Sequence, residues 1–430
     1  MQDRQNQVRA SFIALLLAAF LSLLLLQGCP RAQNQGVEIV FWAFGVEGEN
    51  VQKLMPDFEK LYPDIHVRVQ MIPWNAAHEK LLTAYAGQSL PDACQLGNTW
   101  IPEFTILHAL ENLSLWTTRS SAIGDSSYFP GIWETNVIDS VLYGIPWYVD
   151  TRVLFYRADL FSRVGYMKPP RTWAEWFDVS KKLVQSKLTR YAIFLPTNNE
   201  WAPSVIMGLQ MHSPLLKDRD TRGDFSGNEF RQAMETFQRF FTDGLAPVKT
   251  TQIINLYQAF AEGEFAMYIS GPWNIGEFSR RLPEELKDAW MTAPLPGPDG
   301  TTGLSLAGGS SLIMFQNSKH KPEVWKLIEF LSEPAQQLRF YLLTGNLPAR
   351  IESWRDSTLR ANQYAAAFFT QLNHVTPTPK VPEWEQIAQK EREYSELIAM
   401  GSMNVSDAMA ALDRDVNVML EKRRWMIYGR

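Results

Sequence analysis

The sequence predicts an α/β protein of two lobes, on three observations. Residues 37–96 run strand, helix, strand, helix, strand, the order of βαβ units around a parallel sheet. The chain has 430 residues, enough for two domains of ordinary size. Residues 147–157 read as extended, with Asp150 and Arg152 interrupting apolar side chains, a pattern suited to a segment that crosses between two lobes. Hydrophobic residues make up 46% and charged residues 20%, which places the chain among globular proteins. The net charge of -5 offers no basic patch, so nucleic acid is not an expected partner. Fifteen Trp exceed what a core requires, and Trp suits flat, half-polar ligands.

The elements follow in order. Residues 37–42 form an apolar strand, and Gly45 and Gly48 mark a loop that approaches something closely. Asn50 is placed to cap a helix carrying Val51, Leu54, Met55, Phe58, Leu61 and Tyr62 at helical spacing, which Pro63 ends. Residues 65–71 alternate, with Ile65, Val67, Val69 and Met71 inward and His66, Arg68 and Gln70 outward. A helix over 76–86 stops at Gly87, and a strand over 91–96 leads into a loop at 97–100. Thr172 and Glu175 have the spacing of a capping box, opening a helix that runs to about residue 186. A strand over 191–195 is followed by a loop over 196–201. Ser226 and Glu229 suggest a second box, ahead of a core stripe of Phe230, Ala233, Met234, Phe237, Phe240 and Phe241.

Gly263 ends the next helix in the left-handed conformation, and residues 265–269 form a short strand. Ser270-Gly271-Pro272 breaks that strand and delivers Trp273 just past its end. In open α/β sheets that is where ligands bind. Residues 294–300 are a Pro/Gly-rich turn. Gly308-Gly309-Ser310-Ser311 reads as backbone lying flat against a neighbour or a ligand, ahead of a strand over 312–315. Helices start at Pro322 and Pro334, the latter stopping at Gly345, and helical patterns resume from Pro382.

The N-terminus reads as a targeting segment. Arg4 and Arg9 precede an apolar run over 11–26, shorter than the roughly 20 residues of a membrane span. It closes on Leu26-Gln27-Gly28-Cys29, which resembles a bacterial lipobox. That resemblance implies cleavage before Cys29, a diacylglyceryl group on its thiol, a leader over 1–28 and a polar tether over 29–36. Cys94, the other of two Cys, is then a small core residue without a disulfide partner.

None of the six His stands at a metal-ligand spacing with another, and two Cys cannot build a thiolate site, so no metal and no cofactor is expected. There is no Gly-x-Ser-x-Gly elbow and no phosphate loop. What remains is a set of residues at strand ends. Trp42, Phe44 and Glu47 belong to it, with Asn98, Trp100 and Asp150. Asn199, Glu200, Trp201, Trp273, Gly308 and Gly309 complete it. Flat aromatics with carboxylates and amides match a sugar, whose C–H faces stack on Trp and whose hydroxyls need acceptors and donors. Two of the carboxylates could instead be the acid and base of a glycosidase.

Several segments in order also resemble one family. They are the strand–helix of 37–62, Tyr143-Gly144-Ile145-Pro146 with Leu154-Phe155-Tyr156-Arg157, and Pro170-Arg171-Thr172-Trp173-Ala174-Glu175. Phe260-Ala261-Glu262-Gly263-Glu264-Phe265-Ala266-Met267 into Gly271-Pro272-Trp273, and Phe330-Leu331-Ser332 to Leu347-Pro348, continue the match. Together they resemble a family 1 extracellular solute-binding protein of a carbohydrate ABC importer, the maltose-binding-protein-like class. The resemblance implies a two-lobed periplasmic-binding-protein fold with a hinge of crossover segments. Residues 37–147 and 303–347 would form lobe 1, and 148–302 and 348–430 lobe 2. It implies that Trp273 matches the family's stacking Trp, and that Asn98, Trp100, Asp150 and Trp201 fall where relatives often touch sugar. Asn98 stands where many relatives carry Asp.

The function implied is that of a lipid-anchored, extracytoplasmic, non-catalytic binder that hands a sugar or oligosaccharide to a permease. A secreted glycosidase or lyase is the alternative, or a binder of polyamine, iron or glycerol phosphate. A metal or phosphate would call for a Tyr cluster or an Arg-rich pocket, neither of which is evident, and turnover separates enzyme from binder.

Overall fold

The computed structural model describes residues 36–429. Val37–Phe44 (β1) is apolar throughout its second half and fully buries Ile39, Ala43 and Phe44. The strand extends two residues beyond its predicted end, and Gly45–Val51 (α1) begins at once where a loop was predicted. The two glycines permit that reversal. Gly45 has φ +48°, and a Cβ on Gly48 would lie 2.8 Å from the Ala43 carbonyl oxygen. Asn50 is therefore not a cap: it is buried inside α1 and its Nδ2 donates to the Val46 carbonyl at 2.8 Å.

Ile65–Ile72 (β2) pairs in parallel with β1, Val37 opposite Ile65. Met71, expected inward, is exposed. Trp74–Ala86 (α2) leads to Ala93–Gly97 (β3), also parallel to β1, so the predicted parallel core holds for three strands. The long extended segment divides in two at Thr151-Arg152. Ile145–Asp150 (β4) lies in the first sheet and Val153–Arg157 (β5) in a second one.

Trp173–Gln185 (α3) is capped by Thr172, whose Oγ1 accepts from Glu175 N at 2.9 Å. The Glu175 carboxylate takes the Arg171 amide at 2.7 Å, one residue short of the usual reciprocal bond. Ile193–Phe194 (β6) is followed by Asn228–Thr242 (α4), which buries all six residues of the aromatic stripe. The second capping box does not form. Gly227 is the N-cap, and Ser226 Oγ bonds to the Asp413 carboxylate, which also accepts Phe225 N at 2.8 Å and Ser226 N at 3.0 Å. A carboxylate offering charge-assisted bonds from a distant helix outcompetes a local cap.

Leu256–Glu262 (α5) ends at Gly263, φ +77°, as predicted. Met267–Ser270 (β7), Trp273–Arg281 (α6) and Trp290–Ala293 (β8) follow. Ser305–Leu306 (β9) precedes Gly308–Met314 (β10), which absorbs the glycine pair into a strand. Lys321–Ser332 (α7), Pro334–Thr344 (α8) and Leu347–Pro348 (β11) come next. Val375–Thr376 (β12) pairs with β9, and Trp384–Ala399 (α9), Val405–Met419 (α10) and Glu421–Tyr428 (α11) end the description.

The first sheet has the order β11-β4-β10-β3-β1-β2 and the second β8-β5-β7-β6. Aromatic stacks fill the layers over both. Trp147 lies on Phe340 with centroids 4.2 Å apart, and Trp290 on Tyr364 at 3.9 Å. The chain passes from the first sheet to the second at β4–β5 and returns between β8 and β10, with β9 in a separate two-stranded sheet with β12. Cys94 is fully buried, as expected of a core residue.

A tryptophan-walled cleft between the sheets

The ends of β3, β4 and β7 open onto a cleft of about 480 Å³. Trp74, Trp100, Trp201 and Trp273 line it, with Glu47, Asn98, Asp150, Arg152 and Glu385. On one wall Trp74 and Trp100 meet edge to face, centroids 6.0 Å apart, with Phe44 behind both at 5.0 and 6.1 Å. Glu47, in the first turn of α1, accepts Trp74 Nε1 at 3.1 Å and Asn346 Nδ2 at 2.8 Å. Those bonds fix its carboxylate and the Trp74 ring together.

Trp273 stands on the other wall, 42% exposed, at the start of α6. Its ring occupies the space a side chain on Gly271 would need: a Cβ there would lie 1.9 Å from Cζ3. The Arg152 guanidinium sits 4.6 Å from the ring centroid and is held by Asp150 and by Glu200 at 3.5 Å. Burial raises the Asp150 carboxyl above its ordinary range, and the Arg152 charge opposes that push. Trp201 leans edge-on against buried Trp384, 5.7 Å away.

Beneath the cleft a buried polar network holds the floor. Gln95 accepts Phe44 N at 2.8 Å through Oε1 and donates to Tyr148 Oη at 2.9 Å through Nε2. Burial pushes the Tyr148 hydroxyl well above its usual range, so it stays protonated. Gly308 and Gly309 lie where β10 crosses β4: a Cβ on either would come within 2.3 Å of a carbonyl oxygen, of Asp150 or of Tyr148. The neighbour their flat backbone meets is therefore β4, and the same residues line the cleft.

Of the sequence-predicted residues, Glu47, Asn98, Trp100, Asp150, Trp201, Trp273, Gly308 and Gly309 converge on this cleft. Asn98 is buried, and its Nδ2 donates to the Ala307 carbonyl at 2.8 Å, which leaves its oxygen without a hydrogen-bond donor among the described residues. Glu200 stands one shell back, on Arg152 and on the Ala202 amide at 3.0 Å. Three residues do not reach the cleft. Trp42 is buried with the Lys80 ammonium 5.0 Å from its ring, and Phe44 is fully buried behind the wall. Both miss because β1 runs to Phe44, so its end, and the opening onto the cleft, come at α1. Asn199 is exposed on a bend away from the cleft.

Trp74, Tyr148, Asn346 and Glu385, which are not among the sequence-predicted residues, also line the cleft, with Arg152 from the crossing segment. Trp74 had a signal: Pro73-Trp74 follows β2 as Pro272-Trp273 follows β7. Asn346, in the turn between α8 and β11, and Glu385, in the first turn of α9, are remote in sequence and had none. Chemically the cleft offers aromatic faces beside fixed acceptors and donors, a surface for a polyhydroxylated ligand with apolar ring faces.

Residues 45–338 match the sequence model of the family described as bacterial extracellular solute-binding protein. The structure of the sugar-binding protein MalE from the phytopathogen Xanthomonas citri is similar over 92% of this chain and 100% of that one, with TM-score 0.89 and 46% identity. The galactooligosaccharide-binding protein of Bacillus subtilis is 26% identical over 396 residues, 89% of each chain. The diacetylchitobiose binding protein DasA of Streptomyces coelicolor is 25% identical over 325 residues, 75% of this chain and 74% of that one.

Proposed function

The chain belongs to the family of bacterial extracellular solute-binding proteins, and we propose that it captures a sugar or oligosaccharide between its two lobes for delivery to an ABC permease. The observation that carries this reading is the cleft, where four Trp rings face fixed carboxylates and amides. Its volume of about 480 Å³ lies in the range of small-ligand sites. We place the lobes at 37–147 with 303–347, and at 148–302 with 348–430. The chain leaves the first sheet after Asp150, three residues past the first of those bounds, and returns from the second between β8 and β10; these two passages support a hinge near the bounds.

Binding without chemistry is favoured over a glycosidase. Glu47 is already engaged by Trp74 and Asn346, Asp150 by Arg152, and Glu385 by Thr99 Oγ1 at 2.6 Å. Glycerol phosphate is disfavoured by charge, since three carboxylates line the cleft against one guanidinium, itself paired. The test is a thermal-shift screen over mono- and oligosaccharides, followed by recovery of the ligand. A sugar that raises the melting temperature and returns intact is expected. Cleaved product, or stabilisation only by a polyamine or a phosphate ester, would overturn the reading.

Cys29 lies outside the described residues. Its lipobox supports an acylated mature N-terminus and a place on the outer side of the cell membrane. Cys29→Ala is expected to release the protein from membranes or leave it unprocessed; unchanged fractionation and mass would contradict the anchor.

A further inference from the structure

We propose that Arg152 fills, from within the chain, a cation site built on Trp273, and that in doing so it poses the ring for a neutral sugar and shuts out cationic solutes. This deepens the sugar reading above and rests on it. Three groups make the site. The Trp273 ring lies with its centroid 4.6 Å from the Arg152 guanidinium carbon, inside the reach of about 6 Å for a cation–π contact. Asp150 accepts from Nη1, and Glu200 accepts from Nη2 at 3.5 Å. An aromatic face beside carboxylates is the composition that takes up ammonium and guanidinium ligands. Here the cation is the chain's own.

That cation is held in place from behind. Arg152 stands where the chain leaves the first sheet. Its amide donates to Ser305 Oγ at 3.2 Å, and Ser305 Oγ donates to its carbonyl at 2.9 Å. Ser305 is fully buried at the start of β9, on the return passage, so the two passages are locked together behind the guanidinium. The Arg152 side chain is only 15% exposed. Its Nε is buried without a partner among the described residues, so the contact with the ring is kept in preference to one more hydrogen bond. Drawing such a group away would strand two carboxylates, so it backs the ring and does not yield to a ligand. Trp273 is still 42% exposed and lines the cleft, which leaves ring surface for a sugar. A polyamine gains nothing from the same ring: Asp150 and Glu200 are already engaged, and the guanidinium repels a second cation.

The test empties the site with Arg152→Ala and refills it with methylguanidinium chloride, against sodium chloride at equal ionic strength. Expected in Arg152→Ala is a saturable change in Trp fluorescence and a rise in melting temperature. Neither should occur in the parent or in Arg152→Ala combined with Trp273→Ala. Spermidine should bind Arg152→Ala at least about tenfold more tightly than it binds the parent. A sugar that stabilises the parent should bind the variant at least about tenfold more weakly, and methylguanidinium should restore it, a rescue that mere loss of stability would not give. Should Arg152→Ala fail to fold, Arg152→Gln, which removes the charge and keeps most of the volume, takes its place with the same gain in spermidine binding expected. No saturable methylguanidinium response in folded Arg152→Ala, or no gain for spermidine in Arg152→Gln, overturns the cation site. A parent that takes up methylguanidinium as the variant does shows that Arg152 does not fill it. Parent-like sugar affinity in Arg152→Ala overturns the posing of the ring. A parent that binds no sugar, beside a variant that takes up methylguanidinium, ends the sugar reading and leaves the cation site standing.

Discussion

Trp273 shows how one ring is posed by a residue that has no side chain. It is 42% exposed, so its removal forfeits little core packing, and its ring lies where a Gly271 Cβ would stand. Trp273→Ala is therefore expected to melt near the parent temperature without ligand and to bind sugar at least about tenfold more weakly, as a truncated aromatic anchor does. Gly271→Ala keeps the indole but drives it off its pose, and isothermal calorimetry should find a comparable loss. Parent-like affinity in Gly271→Ala would show that the pose of the ring does not matter. A strongly destabilised Trp273→Ala that still bound normally would make Trp273 a packing residue instead.

At the scale of elements, local and tertiary preferences compete openly. The α3 cap is local, and Thr172→Ala should cost about 1 kcal/mol in urea unfolding. Helix α9 carries a less expected feature, Glu391, fully buried, with Oε1 accepting Ser395 Oγ at 2.6 Å and Oε2 without a partner among the described residues. Burial pushes its carboxyl up to about 7, with the Ser395 bond opposing. Because the folded pKa lies above the unfolded value of about 4.3, the group's stabilising contribution is complete below that value and is lost as pH rises through about 7. Glu391→Gln, neutral at every pH, should melt higher than the parent at pH 8 and no higher at pH 4. Calorimetric scans at the two pH values decide it, and an equal difference at both would remove the titration from the explanation.

For the whole molecule the question is what bridges the cleft. Thr99 follows β3 in the first sheet, and Glu385 opens α9, which packs with the second; their bond at 2.6 Å spans the cleft. Next to it Lys380 ties the segment after β12 to the Glu134 and Val137 carbonyls, at 3.0 and 2.8 Å. In a hinged binder such a bond acts after the ligand has entered. Thr99→Val should therefore speed ligand release by about fivefold, the worth of one hydrogen bond, with the association rate nearly unchanged. Stopped-flow fluorescence separates the two rates, and a loss confined to association would place Thr99 on the entry path. Small-angle scattering should show the protein more compact with its sugar; an unchanged profile would rule out closure.

The sequence by itself determined what depends on near neighbours: the βαβ order of the first strands, the helix stops at Gly263 and Gly345, the Thr172 cap, the buried stripe of α4, and the delivery of Trp273 past a strand end. Each rests on periodicity or on backbone chemistry within a few residues. Only the tertiary structure decided which side chains share a space. Asn346 and Glu385 enter the cleft from elements hundreds of residues from Glu47 and Thr99, and no spacing rule spans that separation. Trp42 fell to the core because two more residues of β1 found partners on β2, Ala43 against Met71 and Phe44 against Ile72. Ser226 gave up its helix to Asp413, 187 residues away, because a carboxylate needing donors outweighs a neutral cap.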